Sequence, residues 1–229
     1  MPSTAPRGGA GRPERRPAPE RGNVRGAATR QLILDAAERL FAERGITAVP
    51  LRDIGVAAGQ RNHAAVQYHF GDRDELVKAI MESRGAESET QRTRVVASLA
   101  AGGRTPEITD VVSAFVRPLA LHIRPENHYL AFLSLLITEA GGYEGLGGAD
   151  IHAGASVLTL GALLEQLLPE LPAELLAERW ELAMTSSVHA LARYQSALQR
   201  RGRMRAGIDE LLEDLVAFLS AGIVAPARR

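Results

Sequence analysis

Two hundred and twenty-nine residues allow one or two domains, and an apolar fraction of 45% is enough to bury a core. Cysteine is absent, which excludes disulfides, thiolate metal sites and cysteine nucleophiles. No run of 18 uncharged apolar residues is present to span a membrane, and the N-terminal arginines are followed by no apolar stretch of a secretory signal, so a cytoplasmic protein is expected. The net charge of zero hides an asymmetry: residues 1–71 hold 11 Arg against 6 Asp and Glu, whereas residues 72–229 hold 16 Lys and Arg against 21 Asp and Glu. A basic front on an acidic body suits a front that meets a polyanion.

Residues 1–25, rich in Pro, Gly, Ala and Arg, carry no apolar period and read as a flexible basic arm. From Ala27 to Arg44, Ile33, Ala36, Ala37, Leu40 and Phe41 recur three and four apart, which predicts an amphipathic helix ended by Gly45. Pro50 stands where a first helical residue would be, with Leu51, Ile54, Ala57 and Ala58 on one face and Gly59 as the stop. Asn62 is placed to cap a third helix that buries Ala65, Val66 and Phe70 and closes at Gly71. Three helices in this length, the last two joined by a glycine-containing turn, have a helix-turn-helix layout.

Asp72 is placed to cap a long fourth helix running towards Leu99. Gly102 and Gly103 break the pattern, Pro106 opens a fifth helix, and Pro118 lies inside it. Apolar helices are expected at 126–140 and 151–168, then long ones from Pro172 to about Arg201 and from 208 to 223. No segment alternates with the period of a strand. The expectation is an all-α chain of about nine helices: the arm at 1–25, a helix-turn-helix domain at 26–72, and a helical ligand-binding and dimerisation domain at 73–229.

The segment Gly45-Ile-Thr-Ala-Val-Pro-Leu-Arg-Asp-Ile54, the Ala58-Gly59 turn, and Val66-Gln-Tyr-His-Phe-Gly-Asp-Arg-Asp-Glu-Leu76 together resemble the tetracycline-repressor (TetR) family over about residues 27–80. Three departures stand out. Val49-Pro50 replace the family's polar cap, the turn Gly59-Gln60-Arg61-Asn62 has one residue more than usual, and Gln67-Tyr68 replaces an aromatic pair. The resemblance implies a DNA reader whose recognition helix lies in the major groove. With Asn62 as cap, His63, Ala64 and Gln67 face base edges, and the Gln67 amide can bond adenine in bidentate fashion. Tyr68, His69 and Arg73, with Arg52 on the preceding helix, are placed for phosphates. Plainer readings stay open: Tyr68 packed on the first helix, His69 favoured by the helix end, and Gln67 an ordinary solvated amide.

Other signals point nowhere. Gly141 to Gly148 lacks the Gly-Lys-Ser/Thr ending of a phosphate loop, and His122 and His128 lack the spacing of paired metal ligands on a helix. Arg200, Arg201, Arg203 and Arg205 read as a solvated turn. No catalytic residue, metal or cofactor is expected. The family resemblance implies an effector cavity among the middle helices, with Phe115, Leu119, His122, Tyr129, Phe132, Leu136, Trp180, Met184 and His189 as candidate lining. Few charges fall on those faces, so a small, mostly apolar effector is expected. The last two helices form a hairpin that, doubled, makes a four-helix bundle; Leu191, Tyr194, Leu198, Leu211, Leu215 and Phe218 are the candidate dimer contacts.

The expectation is a homodimeric transcriptional regulator, a repressor, that binds double-stranded DNA at a palindromic operator, with no membrane partner. Its effector releases it by moving the fourth helix. A helical carrier or enzyme with a vestigial helix-turn-helix, and a DNA-binding protein without an effector, are the alternatives.

Overall fold

The computed structural model describes residues 21–62, 64–140, 154–201 and 207–227. Residues 1–20 of the arm, the glycine-rich 141–148, and Arg203 and Arg205 of the basic turn lie outside them. Among the described residues there are nine helices and no strand. They are α1 (Arg21–Arg44), α2 (Leu51–Ala57), α3 (Ala65–Phe70), α4 (Arg73–Ala101), α5 (Ile108–Ala120), α6 (Tyr129–Ala140), α7 (Ala155–Leu167), α8 (Ala173–Arg201) and α9 (Ile208–Val224).

The all-helical expectation therefore stands, with corrections at the ends. Helix α1 starts at Arg21, not Ala27; residues 21–26 have no apolar stripe in the sequence, so periodicity could not detect them. Pro50 is the residue before α2, in an extended conformation, rather than its first turn. Helix α5 opens at Ile108, two residues after Pro106, because Asp110 turns back to accept from the Glu107 N–H at 2.7 Å while Arg104 grips both of its oxygens at 2.8 Å. Helix α6 opens at Tyr129 rather than 126, where Asn127 Oδ1 accepts from the Tyr129 N–H at 2.8 Å. Asp72 does cap α4: its Oδ1 accepts from the Glu75 N–H at 2.9 Å.

Packing follows the apolar stripes. Helix α1 buries Ile33, Ala37, Leu40 and Phe41 against α2, α4 and α6. Helix α5 lies inside the body, touching α4, α7, α8 and α9, and buries Val111, Val112, Phe115, Val116 and Leu119. One continuous core links the two regions. At their junction Phe41 of α1 stacks on Phe132 of α6, with ring centroids 6.2 Å apart, and Phe132 stacks in turn on Tyr129 at 6.2 Å.

Helices α8 and α9 pair as the expected hairpin, and Arg179 closes it by donating to the carbonyls of Ile223 and Ala225 at 2.8 and 2.5 Å. Two of the candidate dimer contacts are corrected here. Leu191 and Leu215 are buried in the chain's own core, the first completely, so neither is offered to a partner. Tyr194, Leu198 and Leu211 are half-buried, while Phe218 is 73% exposed.

Candidate nucleic-acid interface

The geometry of the reading element begins with the turn after α2. The Gln60 N–H bonds the Gly55 carbonyl at 2.9 Å and the Gly59 N–H bonds that of Val56 at 3.0 Å, the paired bonds of a Schellman stop. This requires a left-handed residue, and Gly59 supplies it with φ of +70°. Gly55 brings α3 in close: a Cβ there would already touch Val66 Cγ2 at 3.6 Å. Asn62 does not cap α3, whose N-cap residue is Ala64 with no side-chain bond; it forms a turn just before the helix, its Oδ1 accepting from the Ala64 N–H at 3.0 Å and its carbonyl from the Ala65 N–H at 3.1 Å. The longer turn is thus absorbed by two successive local motifs, and regular helix begins at Ala65.

Helix α3 separates its faces cleanly. Ala65, Val66 and Phe70 are buried, and the guanidinium of Arg30 lies 4.8 Å above the Phe70 ring. Ala64 and Gln67 are exposed, and Tyr68 is 84% exposed. Tyr68 packs on His69, edge to face at 5.1 Å, and not on the first helix. His69 is half-buried, and Arg52 is exposed beside Asp53 at 3.3 Å. His63 lies outside the described residues.

Arg73 departs from expectation. It is half-buried, and its Nη1 donates to the Ile46 carbonyl, so it braces the turn between α1 and α2 instead of standing free on the surface. Sequence reasoning passed over Arg61, an exposed cation in the turn before α3; the sign was simply its place between the two helices of the motif. Glu139, at the end of α6, was also missed. Both of its oxygens accept backbone N–H groups of the α1–α2 turn, from Ile46 at 2.9 Å and Thr47 at 3.0 Å. Burial on its own would raise this carboxyl, but the bonds from Thr47 and Ile46, with Arg73 nearby, hold it below its ordinary range. An acid at a helix C-terminus opposes the macrodipole and so announces a partner elsewhere.

Of the candidate effector residues, Phe115, Leu119, His122, Tyr129, Phe132, Leu136, Trp180 and Met184 are all buried. They fall around two ring groups, Phe115 with Trp180 at 5.4 Å and His122 with Tyr129 at 4.8 Å. His189 is corrected: it is exposed, with Nδ1 2.6 Å from Ser134 Oγ.

His122 is held inside by polar partners. Its Nε2 is 2.8 Å from Ser88 Oγ, which donates to the Pro118 carbonyl, and its Nδ1 is 3.4 Å from Asn127 Nδ2. Those partners favour a proton on Nε2. Burial lowers its pKa to about 4, with Arg124 and Arg84 acting the same way and Glu87 opposing. The imidazole is neutral at neutral pH. Arg92, also buried, lies 5.3 Å over the Phe115 ring and 3.0 Å from Glu89. Two open grooves lie away from these residues. One of about 550 Å³ lies between the start of α5, the end of α7 and α9, and one of about 290 Å³ lies beside the end of α4. No helix among the described residues is long and apolar enough to cross a membrane.

Comparison with known proteins bears on both regions. The family described as bacterial regulatory proteins, tetR family, matches residues 33–80, and the tetracyclin repressor-like C-terminal domain matches residues 113–222. The chain is 46% identical over 66 residues to the HTH-type transcriptional repressor Rv3405c of Mycobacterium tuberculosis, a match covering 29% of this chain and 32% of that protein's length. It is 26% identical over 224 residues to the HTH-type transcriptional regulator TtgR of Pseudomonas putida, covering 88% of this chain and 94% of the relative. A crystal structure of a gamma-butyrolactone receptor (ArpA-like protein) superposes over 86% of this chain and 98% of its own, with a TM-score of 0.48 and 17% identity.

Proposed function

Because the chain belongs to the tetR family of bacterial regulatory proteins, and is a DNA-binding transcriptional regulator rather than an enzyme, we propose that it is a homodimeric repressor released from a palindromic operator by a small, mostly apolar effector. The observation that carries the DNA reading is the two-faced α3, with Phe70 and Val66 locked inside and Gln67 and Tyr68 presented outward. Gln67 and Ala64 are assigned to base edges; Tyr68, His69, Arg52 and Arg61 are assigned to phosphates. The basic arm adds sequence-independent attraction. We keep residues 26–72 as the reading domain, residues 73–229 as the ligand-binding and dimerisation domain, and a cytoplasmic setting.

For assembly, Phe218 on α9 and Leu182 on α8 are the supporting residues, 73% and 65% exposed. Measured from the bond between Arg179 and Ile223, Leu182 is about 4.5 Å along α8 and Phe218 about 7.5 Å back along α9. Both therefore stand at a similar height of the hairpin, where a second copy covers them. Two heads so joined have to sit about 34–36 Å apart to enter successive major grooves. An effector lowers operator affinity by its differential binding between the two head spacings, and by no more. The effector site is assigned to the eight buried candidates, which have to part to admit a molecule that is mostly ring or alkyl with one hydrogen-bonding group, since the open grooves lie elsewhere.

A gel shift with the DNA upstream of the chain's own gene tests the DNA reading; a specific shift supports it, and binding equal to that of random duplex refutes it. Sedimentation of Phe218→Glu tests the assembly. Monomers of unchanged helicity are expected, and a variant that remains dimeric places the interface elsewhere.

A further inference from the structure

Helix α6 belongs to the body, yet it is fastened to the reading head at both ends. At its start the Glu38 carboxylate of α1, only 3% exposed, accepts from the His128 N–H at 3.0 Å and from Arg84 Nε of α4 at 2.5 Å. In its middle Phe132 stacks on Phe41. At its end Glu139 takes the N–H groups of Ile46 and Thr47. The turn carrying those groups is gripped from the other side by Arg73, the first residue of α4, through the Ile46 carbonyl. Gly45 opens the same turn with φ of +91°, and a Cβ there would sit 2.7 Å from Glu139 Oε1. The turn is thus shaped to receive this carboxylate, and it leads within five residues into α2.

We propose that Glu139 is a positioning residue for DNA reading: by clasping the α1–α2 turn to the end of α6, it fixes the angle at which α2 and α3 are presented. Helix α4 is then one of two struts between body and head, and α6 is the other. A core contact such as Phe41 on Phe132 resists separation but tolerates small rotation. Two charge-assisted bonds to adjacent backbone N–H groups define a direction. The proposal rests on α2 and α3 being the reading element, so its test reads orientation separately from DNA.

The test uses the full chain. It has no cysteine, so Ala57→Cys on α2 and Glu165→Cys on α7, both exposed, take a pair of spin labels. Diluting with unlabelled chain leaves the distance within one protomer. Glu139→Gln keeps the volume but replaces one accepting oxygen by a donating NH₂, so one of the two N–H groups loses its acceptor. The expected result is a shifted or broadened head-to-body distance, retained helicity, and a loss of about tenfold in affinity for an operator selected by the parent chain from random duplexes. Gly45→Ala crowds the same carboxylate and also strains the turn at φ of +91°, so it should likewise shift the head-to-body distance, non-additively with Glu139→Gln. An unchanged distance distribution in Glu139→Gln overturns the proposal. So does a changed distance with operator affinity within twofold of the parent, and so does loss of folding in Glu139→Gln, which makes the residue one of stability alone.

Discussion

The reading head and the body treat their polar side chains in opposite ways. In the head the interior is apolar, built on Ile33, Phe41, Ile54 and Val66, with Glu38 the exception where α1 meets the body, and the amide, phenol and cations of Gln67, Tyr68, Arg52 and Arg61 face out. The body does the reverse around α5: Ser88, Arg92, His122 and Gln195 are all buried, with Gln195 Nε2 donating to the His122 carbonyl at 2.7 Å. An outward polar face costs nothing in desolvation until DNA arrives, so the head is complete before it binds. A buried polar group is stable only while each partner stays in place. The body is therefore the region whose stability responds to small changes in composition of its interior.

The largest effect is expected where the two regions meet. Phe132→Ala removes a ring stacked on both Phe41 and Tyr129 and should cost about 3–5 kcal/mol, read as a lowered denaturation midpoint; a loss under 1 kcal/mol would mean that head and body do not share this packing. Next is pH. His122 is held neutral down to about 4, below its ordinary value near 6.5. Between those values the unfolded chain binds a proton that the folded chain refuses. Stability thus falls as pH drops from 6.5 to 4, by a total of about 3 kcal/mol, and is level above that window as far as this group is concerned. Denaturation midpoints measured across the window should show the slope, and His122→Gln should flatten it; an equal slope in both chains assigns the effect to other groups.

Smaller effects belong to the head. Gln67→Ala should relax preference at one base pair of each half-site by about 1–3 kcal/mol, while the melting temperature stays put because the side chain is exposed. A library of mutated operators checks this, and equal weakening of every operator would make Gln67 a backbone contact. Least of all, Arg61→Ala should reduce the salt slope of DNA binding by about one ion without changing sequence preference; an unaltered slope removes Arg61 from the interface.

How much of this was legible in the sequence follows from the same contrast. The head could be read closely because its signals are local: Gly45, Gly59 and Gly71 end helices, Asp72 begins one, and the alternation of Val66 and Phe70 with Gln67 and Tyr68 shows the faces. Local signals fail where partners are distant in the chain. Arg73 looked like a free cation because the carbonyl of Ile46, 27 residues away, is invisible to helix periodicity. Glu139 looked idle because its partners lie 93 and 92 residues earlier. In the body, apolar spacing located the helices but not which buried stripe meets the core and which meets a second copy, so Leu191 and Leu215 were taken for contacts between protomers. His189 erred the other way, since it lies on the outer face of α8 while its neighbours Val188 and Leu191 are fully buried.

The Phe41 and Phe132 stack limits how this architecture can be recombined. A cassette cut after Gly71 and grafted to a foreign ligand-binding half would carry Phe41 and Glu38 without the helix that covers them. Swapped regulators built on this chain therefore have to keep α6 with the head, or redesign the facing surface of the new partner to supply a ring opposite Phe41 and a backbone N–H opposite Glu38. Because α6 packs on α8 as well as on α1, no cut between head and body falls on a natural seam.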